Sequence, residues 1–357
     1  MATESDNKNV IEMSPESRLV AERYEVLDRA ETRLWREMRT VFNPVANELE
    51  EAGFLAGVSV DEEHHYGMIQ VSKPDWPKPF QNGIHFEIWA DRANMIRHKG
   101  MMLFLDIEDA TDGKEDVIEA MWRILMPYEK AGLLWKSIGC KMRPQKTWRF
   151  FEEVLPLCHS LCSRDLSNAL QKLASISWAI DQALFVKGGK PVWRTDFLPG
   201  QSVPNLKWKG APGGQVLADG AGLLGSTCIQ IDGAHVGNYN EWEGCKTDIM
   251  ILGNTKVIQN GDELYVSVVV RTAKNSRLWF FGEGRRDLPD GKRAFPPLCD
   301  WTQVCVPQGS GWQHVGCRVR TKSPSDYDFS RDGTHLYLRT QTDDPLFSIG
   351  AIEIGRC

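Results

Sequence analysis

Asn260-Gly-Asp-Glu-Leu-Tyr-Val-Ser-Val-Val-Val-Arg271 decides the fold of the C-terminal part of the chain. Successive side chains of a strand point to opposite faces, so Leu264, Val266, Val268 and Val270 share one face. Tyr265, Ser267, Val269 and Arg271 share the other. The first face is core, and the second, half polar, is expected to border a groove. Working outward, short strands alternate with Gly, Asn and Asp turns. They are read at Cys228–Ile231, Thr247–Leu252, Glu263–Arg271, Arg277–Phe281, Trp301–Val306, Trp312–Arg320, Thr334–Thr340 and Phe347–Ile354. No helical pattern competes from residue 215 onward. Regularly spaced short strands of this kind predict a β-sandwich over 215–357.

Three segments resemble the jelly-roll carbohydrate-binding modules of the family 4/9/22 type. Residues 260–271 look like that fold's GxxYxxSxxxR strand. Gly311-Trp-Gln-His-Val315 is similar to its W-x-x-V strand entry, and Phe347-Ser-Ile-Gly-Ala-Ile-Glu-Ile354 to its closing strand. The resemblance covers 215–357 and implies a jelly roll with a glycan ligand. Gly350 stands where the family carries an aspartate in the closing strand, so the family's structural calcium does not transfer, and no metal or cofactor is expected.

The N-terminal half reads differently. Residues 1–13 are polar and expected to fray. Ser14, Pro15 and Glu16 signal a helix start, and Leu19, Tyr24, Leu27, Ala30, Leu34, Met38 and Val41 form its apolar stripe, with a break or kink at Pro44. Strands follow at Gly67–Ser72, Ile84–Trp89 and Met101–Asp106, then helices at Gly113–Tyr128, Pro144–Leu157 and Ser163–Phe185. This order predicts an α+β domain over 14–187, with a small antiparallel sheet and long helices. Residues 188–214, rich in Gly and Pro, read as a linker. The α+β half also loosely resembles the PD-(D/E)xK nuclease core, with Pro74-Asp75 and Glu87-Ile88-Trp89 at the motif's positions. Trp89 replaces the lysine that would stabilise charge there, so this metal-dependent hydrolysis is the alternative reading.

Composition narrows the function classes. The 357 residues are 42% hydrophobic and 25% charged, an ordinary globular mix with material for two cores. The net charge is −6, and neither half holds a basic excess, which disfavours nucleic acid. No stretch approaches the roughly 18 apolar residues of a membrane span. The polar N-terminus lacks the apolar core of a secretory signal, and the nine scattered cysteines, an odd number, read as reduced thiols. Both point to cytoplasmic synthesis; a virion or injection-machine component, made in the cytosol and used outside, would accommodate a sugar ligand.

Few side-chain groupings suggest chemistry. Asp106, Glu108 and Asp109, with Glu87 beside them, could hold a divalent cation; a solvated strand end leading into the following helix is the simpler reading. His64-His65 after Asp61-Glu-Glu63 reads as a charged loop, Cys158-His159 with Cys162 lacks an orienting base, and Arg285-Arg286 with Lys292-Arg293 reads as a solvated hairpin. Among the thirteen tryptophans, Trp279 shares a strand face with Arg277 and Phe281. These three residues and Trp242, in a Gly/Asn-rich loop, are the candidate ligand contacts, because sugar rings stack on aromatic planes while polar neighbours bind their hydroxyls. The leading expectation is a non-enzymatic binding protein: the sandwich recognises a glycan, and the α+β half contacts protein partners. A structural subunit making only protein contacts is the other alternative.

Overall fold

The computed structural model describes residues 14–80, 82–142, 148–156, 162–198, 207–210, 215–235, 245–284, 286–322, 327–328 and 334–357. It has an α+β part followed by a β-sandwich, as the sequence predicts. The chain divides into two compact units: residues 1–75, 85–104 and 152–170, and residues 76–84, 105–151 and 171–357. Among the described residues no helix is long and apolar enough to cross a membrane.

In the first unit, helix α1 (Pro15–Glu51) starts where Ser14 accepts a hydrogen bond from the Ser17 amide, 3.1 Å, with Pro15 in the first turn. It runs through Pro44 as one element, without the expected break. From Trp35 onward it buries Trp35, Met38, Phe42, Val45, Ala46 and Leu49, a helical repeat. That face lies on strands β1 (Leu55–Asp61) and β2 (Tyr66–Ser72). Strand β1 pairs antiparallel with β2, and β2 with β3 (Ile84–Asp91). Short helix α2 (Arg92–His98) leads to β4 (Gly100–Ile107). Strand β1 was missed in the sequence because its residues are only half buried and keep no clean alternation.

Helix α3 (Lys114–Lys130) follows, then strands β5 (Cys140–Met142) and β6 (Trp148–Pro156), which pair antiparallel at residues 140–142 and 148–150. The helix expected at 144–157 is therefore a strand over its described residues 148–156. Phe151 takes a φ of 57°, and the adjacent Phe150 and Phe151 are both buried. Strand alternation is lost there, and the apolar spacing mimics a helix. The long helix expected at 163–185 is two, α4 (Ser163–Ala174) and α5 (Ser177–Val186).

Residues 188–214, read as a linker, supply β7 (Lys190–Thr195) and β8 (Lys207–Gly210), each hydrogen-bonded into a sandwich sheet. The remaining strands are β9 (Gln215–Ala218), β10 (Cys228–Ile231), β11 (Cys245–Thr255), β12 (Glu263–Arg271) and β13 (Ser276–Gly284). A two-stranded hairpin, β14 (Arg286–Asp287) and β15 (Arg293–Ala294), precedes β16 (Thr302–Val306), β17 (Gln313–Arg320), β18 (Thr334–Gln341) and β19 (Phe347–Arg356). One sheet has the order β17-β12-β19-β10-β9, with β7 also on β19; the other is β16-β13-β18-β11-β8. Leu264, Val266, Val268 and Val270 face the inter-sheet core with Ile249, Leu278, Phe280, Leu338 and Ile352, as alternation predicts. Gly350, where the resembled family carries aspartate, has a packing reason. A Cβ there would lie 2.7 Å from Leu223 Cγ and 2.9 Å from the Trp312 ring. The cysteines with described side chains, Cys162, Cys228, Cys245, Cys299, Cys305, Cys317 and Cys357, are free thiols.

Candidate functional site

The sandwich has two outer faces, and they differ. The Tyr265–Ser267 face, expected to border a groove, is covered within its own unit by α5. Gln182 donates to Ser267 Oγ at 3.0 Å, and Phe185 packs edge-on against Tyr265, 6.4 Å between centroids. Helix α5 is apolar on nearly all sides and therefore buried. Beneath this cover lies Glu353, fully buried. It accepts from Arg123 Nη1 (2.5 Å), Arg194 Nη1 (2.5 Å) and the Tyr265 hydroxyl (2.6 Å). Burial opposes its charge, but Arg194 and Arg123 outweigh that, so its pKa lies below the ordinary glutamate value. Arg194 is also gripped by Asp196, and burial of Tyr265 beside Glu353 pushes its hydroxyl pKa up. Gly355 lets the Tyr265 ring approach; a Cβ would sit 2.3 Å from its Cζ. Around Tyr265, Ser267 and Glu353 this face is taken up by internal packing and hydrogen bonding.

The other outer face carries the aromatic residues. On β13, Arg277, Trp279 and Phe281 point outward, as alternation predicts, with Leu278 and Phe280 in the core. Register places Gln341, Arg339 and Tyr337 of β18 beside them in that order, and Cys305 and Gln303 of β16 beside Arg277 and Trp279. The Phe281 ring lies parallel between Trp301 (4.2 Å, 5°) and Tyr337 (5.0 Å, 13°). The Arg339 guanidinium lies 4.9 Å from the Trp301 centroid and 5.1 Å from that of Phe281. Its Nε and Nη2 donate to the two Asp248 oxygens at 2.5 and 2.7 Å, a buried bidentate pair. Trp279 donates through Nε1 to Gln341 Oε1 at 3.2 Å.

Phe281 is only 2% exposed and serves as the support of the stack, whereas Trp301 is 39% exposed. Trp279 is half-buried, and Arg277, Gln303 and Cys305 are exposed. The surface is thus an aromatic platform fixed from below and edged by amide and guanidinium groups. Trp242 lies outside the described residues. Sequence reasoning missed Trp301, Tyr337 and Arg339. The signal was present in Thr334–Gln341, where Leu336 and Leu338 alternate with Tyr337, Arg339 and Gln341.

The other groupings are accounted for by local partners. Asp106 is buried and receives two bonds from Arg149 Nε, 3.0 and 3.1 Å, and Asp109 pairs with Lys114. Asp61 caps its turn by accepting from the amides of Glu63 and His64 and from the His64 ring; the His64 bonds hold its pKa below the usual carboxylate range. Arg293 and Lys292 pair with Asp287 and Asp290 within the hairpin. Cys158 and His159 lie outside the described residues. Glu87 is buried and bonds to Gln70 (2.7 Å) and His85 (3.1 Å), while Trp89 donates to Asp91 at 2.6 Å and stacks on Tyr66. Among the described residues, no three His, Cys, Asp or Glu side chains are grouped to hold a metal. DNA or RNA incubated with the protein and magnesium or manganese is expected to remain intact on a gel. Cleavage that disappears in Glu87→Ala would reinstate the nuclease reading.

No protein-family model and no curated protein matches the chain. Solved structures are similar over about half of it. The CBM22-1 and GH10 modules of Clostridium thermocellum endo-1,4-β-D-xylanase 10B, complexed with xylohexaose, align over 47% of this chain and 29% of that one. The identity is 14% and the TM-score 0.32. The CBM22-1 xylan-binding domain of Paenibacillus barcinonensis Xyn10C aligns over 47% and 95%, with 17% identity and a TM-score of 0.31. The enzymatically active domain of bacteriophage CBA120 tailspike protein 4 aligns over 47% and 21%, with 11% identity and a TM-score of 0.29.

Proposed function

We propose that this is a binding protein whose β16-β13-β18 outer face holds a glycan, with the α+β part making protein contacts. The Trp301–Phe281–Tyr337 stack carries this reading. A partly exposed indole, held flat by a buried ring, matches the C–H face of a pyranose. Arg277, Gln303 and Gln341 supply hydrogen-bonding groups beside it, the mixture of aromatic area and a few polar groups that sugar sites use. Trp301 is the principal stacking residue, and Trp279 the second.

A glycan array followed by titration calorimetry tests the proposal. Trp301→Ala is expected to weaken binding roughly tenfold or more, as loss of a central aromatic anchor does. It should cost only about 0.5–1.5 kcal/mol of stability, the size of one stacked pair. Trp279→Ala should weaken binding with a similarly small shift in Tm. An array on which nothing binds, or unchanged affinity in both variants, would favour a structural subunit instead.

A further inference from the structure

The N-terminal half of α1, residues 15–34, differs from the rest of that helix. From Trp35 onward α1 buries a regular apolar face; before it, Leu19 (52%), Val20 (56%), Tyr24 (60%), Val26 (68%) and Leu34 (39%) stand exposed. Yet the sequence is built to be helical here, with the Ser14 cap, Pro15 in the first turn and Glu16 at the positive end of the dipole. An isolated helix of this length is marginal in water, and helices gain most of their stability from packing an apolar face.

Four of the apolar residues keep a heptad. Val20, Leu27 and Leu34 fall seven residues apart at d positions, with Tyr24 at a, while Ser17 holds the preceding a and Leu19 and Val26 lie beside the seam at c. The next a position is Glu31, which is already held by Arg92 Nε (3.2 Å) and His65 Nδ1 (3.6 Å) of its own unit. The same register continues into Met38 and Val45, both buried. The seam therefore passes, near Glu31, from a face that no described residue covers to one packed inside the unit.

We propose that residues 15–34 pair with the same helix of a second copy of the chain as a parallel two-stranded coiled coil. Charge selects this occupant. With Tyr24 at a, Arg23 is a g residue and Asp28 the following e residue, the positions that face each other across a parallel pair. Both are exposed, and two-fold symmetry makes the Arg23–Asp28 bridge twice. A membrane surface is the poorer match, since interfacial helices carry Lys and Arg on the polar face. Here Glu16, Glu22 and Asp28 are interspersed with the arginines. This inference is independent of the glycan reading.

Sedimentation equilibrium of the full chain over a range of concentrations provides the test. The wild type is expected to be a dimer, and Val20→Asp/Tyr24→Asp a monomer that loses helical circular dichroism signal from residues 15–34 while the urea midpoint of its sandwich is unchanged. Arg23→Asp and Asp28→Arg should each weaken the dimer about tenfold, by replacing two attractions with two repulsions. Arg23→Asp/Asp28→Arg together should restore it. A monomeric wild type, a dimer indifferent to the paired aspartates, or a double charge swap that restores nothing would overturn the proposal. So would binding of the monomer to phosphatidylserine vesicles through the same residues.

Discussion

Arg339→Ala is expected to cost about 3–5 kcal/mol and to abolish the proposed glycan binding together. The guanidinium does two jobs. It neutralises Asp248 where both groups are almost wholly buried, and it packs beside the Trp301 and Phe281 rings. Removing it leaves the Asp248 carboxylate buried without its bidentate donor, and the aromatic stack loses its flank. Asp248→Leu/Arg339→Leu separates the two effects: replacing a buried pair by apolar residues of similar volume is often close to neutral. That double variant should recover most of the stability in a urea melt but not the binding. A cost below about 1 kcal/mol for Arg339→Ala would show that water reaches the pair in solution.

Glu353→Gln should be the second most damaging change, at about 3 kcal/mol, the lower end for breaking a buried ion pair. The lower end applies because Arg194 keeps Asp196, and Arg123 is 25% exposed and can turn to water. The variant also has a pH signature. The folded pKa of Glu353 is depressed, so its contribution is complete above the ordinary glutamate value of 4.5 and is lost as pH falls through that value toward the folded pKa. The wild type should therefore lose stability through this acid window, whereas Glu353→Gln should have a shallower acid limb. Parallel acid limbs in urea titrations from pH 7 to 3 would show that Glu353 is not charged in the folded protein.

The sandwich was legible because its strands obey a period of two with turn residues between them. Each of the eight strands read from residue 228 onward is present, and the 263–271 boundaries match. The placement of Arg277, Trp279 and Phe281 on one face was legible for the same reason. What surrounds them was not. Tyr337 and Arg339 arrive through cross-strand register, and Trp301 through a loop, neither of which a local pattern encodes. The groove expected over Tyr265 and Ser267 failed similarly. Helix α5 comes from more than 80 residues upstream of Ser267 to lie on that face, and its sequence trace is that it is apolar on nearly all sides. At Phe150 and Phe151 a single left-handed residue overturned the period itself.

Strand β19 sits at the centre of its sheet, between β12 on one side and β10 and β7 on the other, with Ile352 opposite both Val268 and Thr195. A ribosome delivers all three neighbours before it delivers β19. Until residues 347–356 emerge, β10 and β12 have no partner on that side, and their unsatisfied edges invite pairing with other chains. The sandwich thus cannot assemble progressively during synthesis. Its first sheet closes through contacts of long sequence separation, the kind that folds slowly. Protein yield in a cell should therefore depend on how well nascent chains are shielded in that interval, and a stop codon placed before residue 347 should produce aggregate rather than a smaller soluble module.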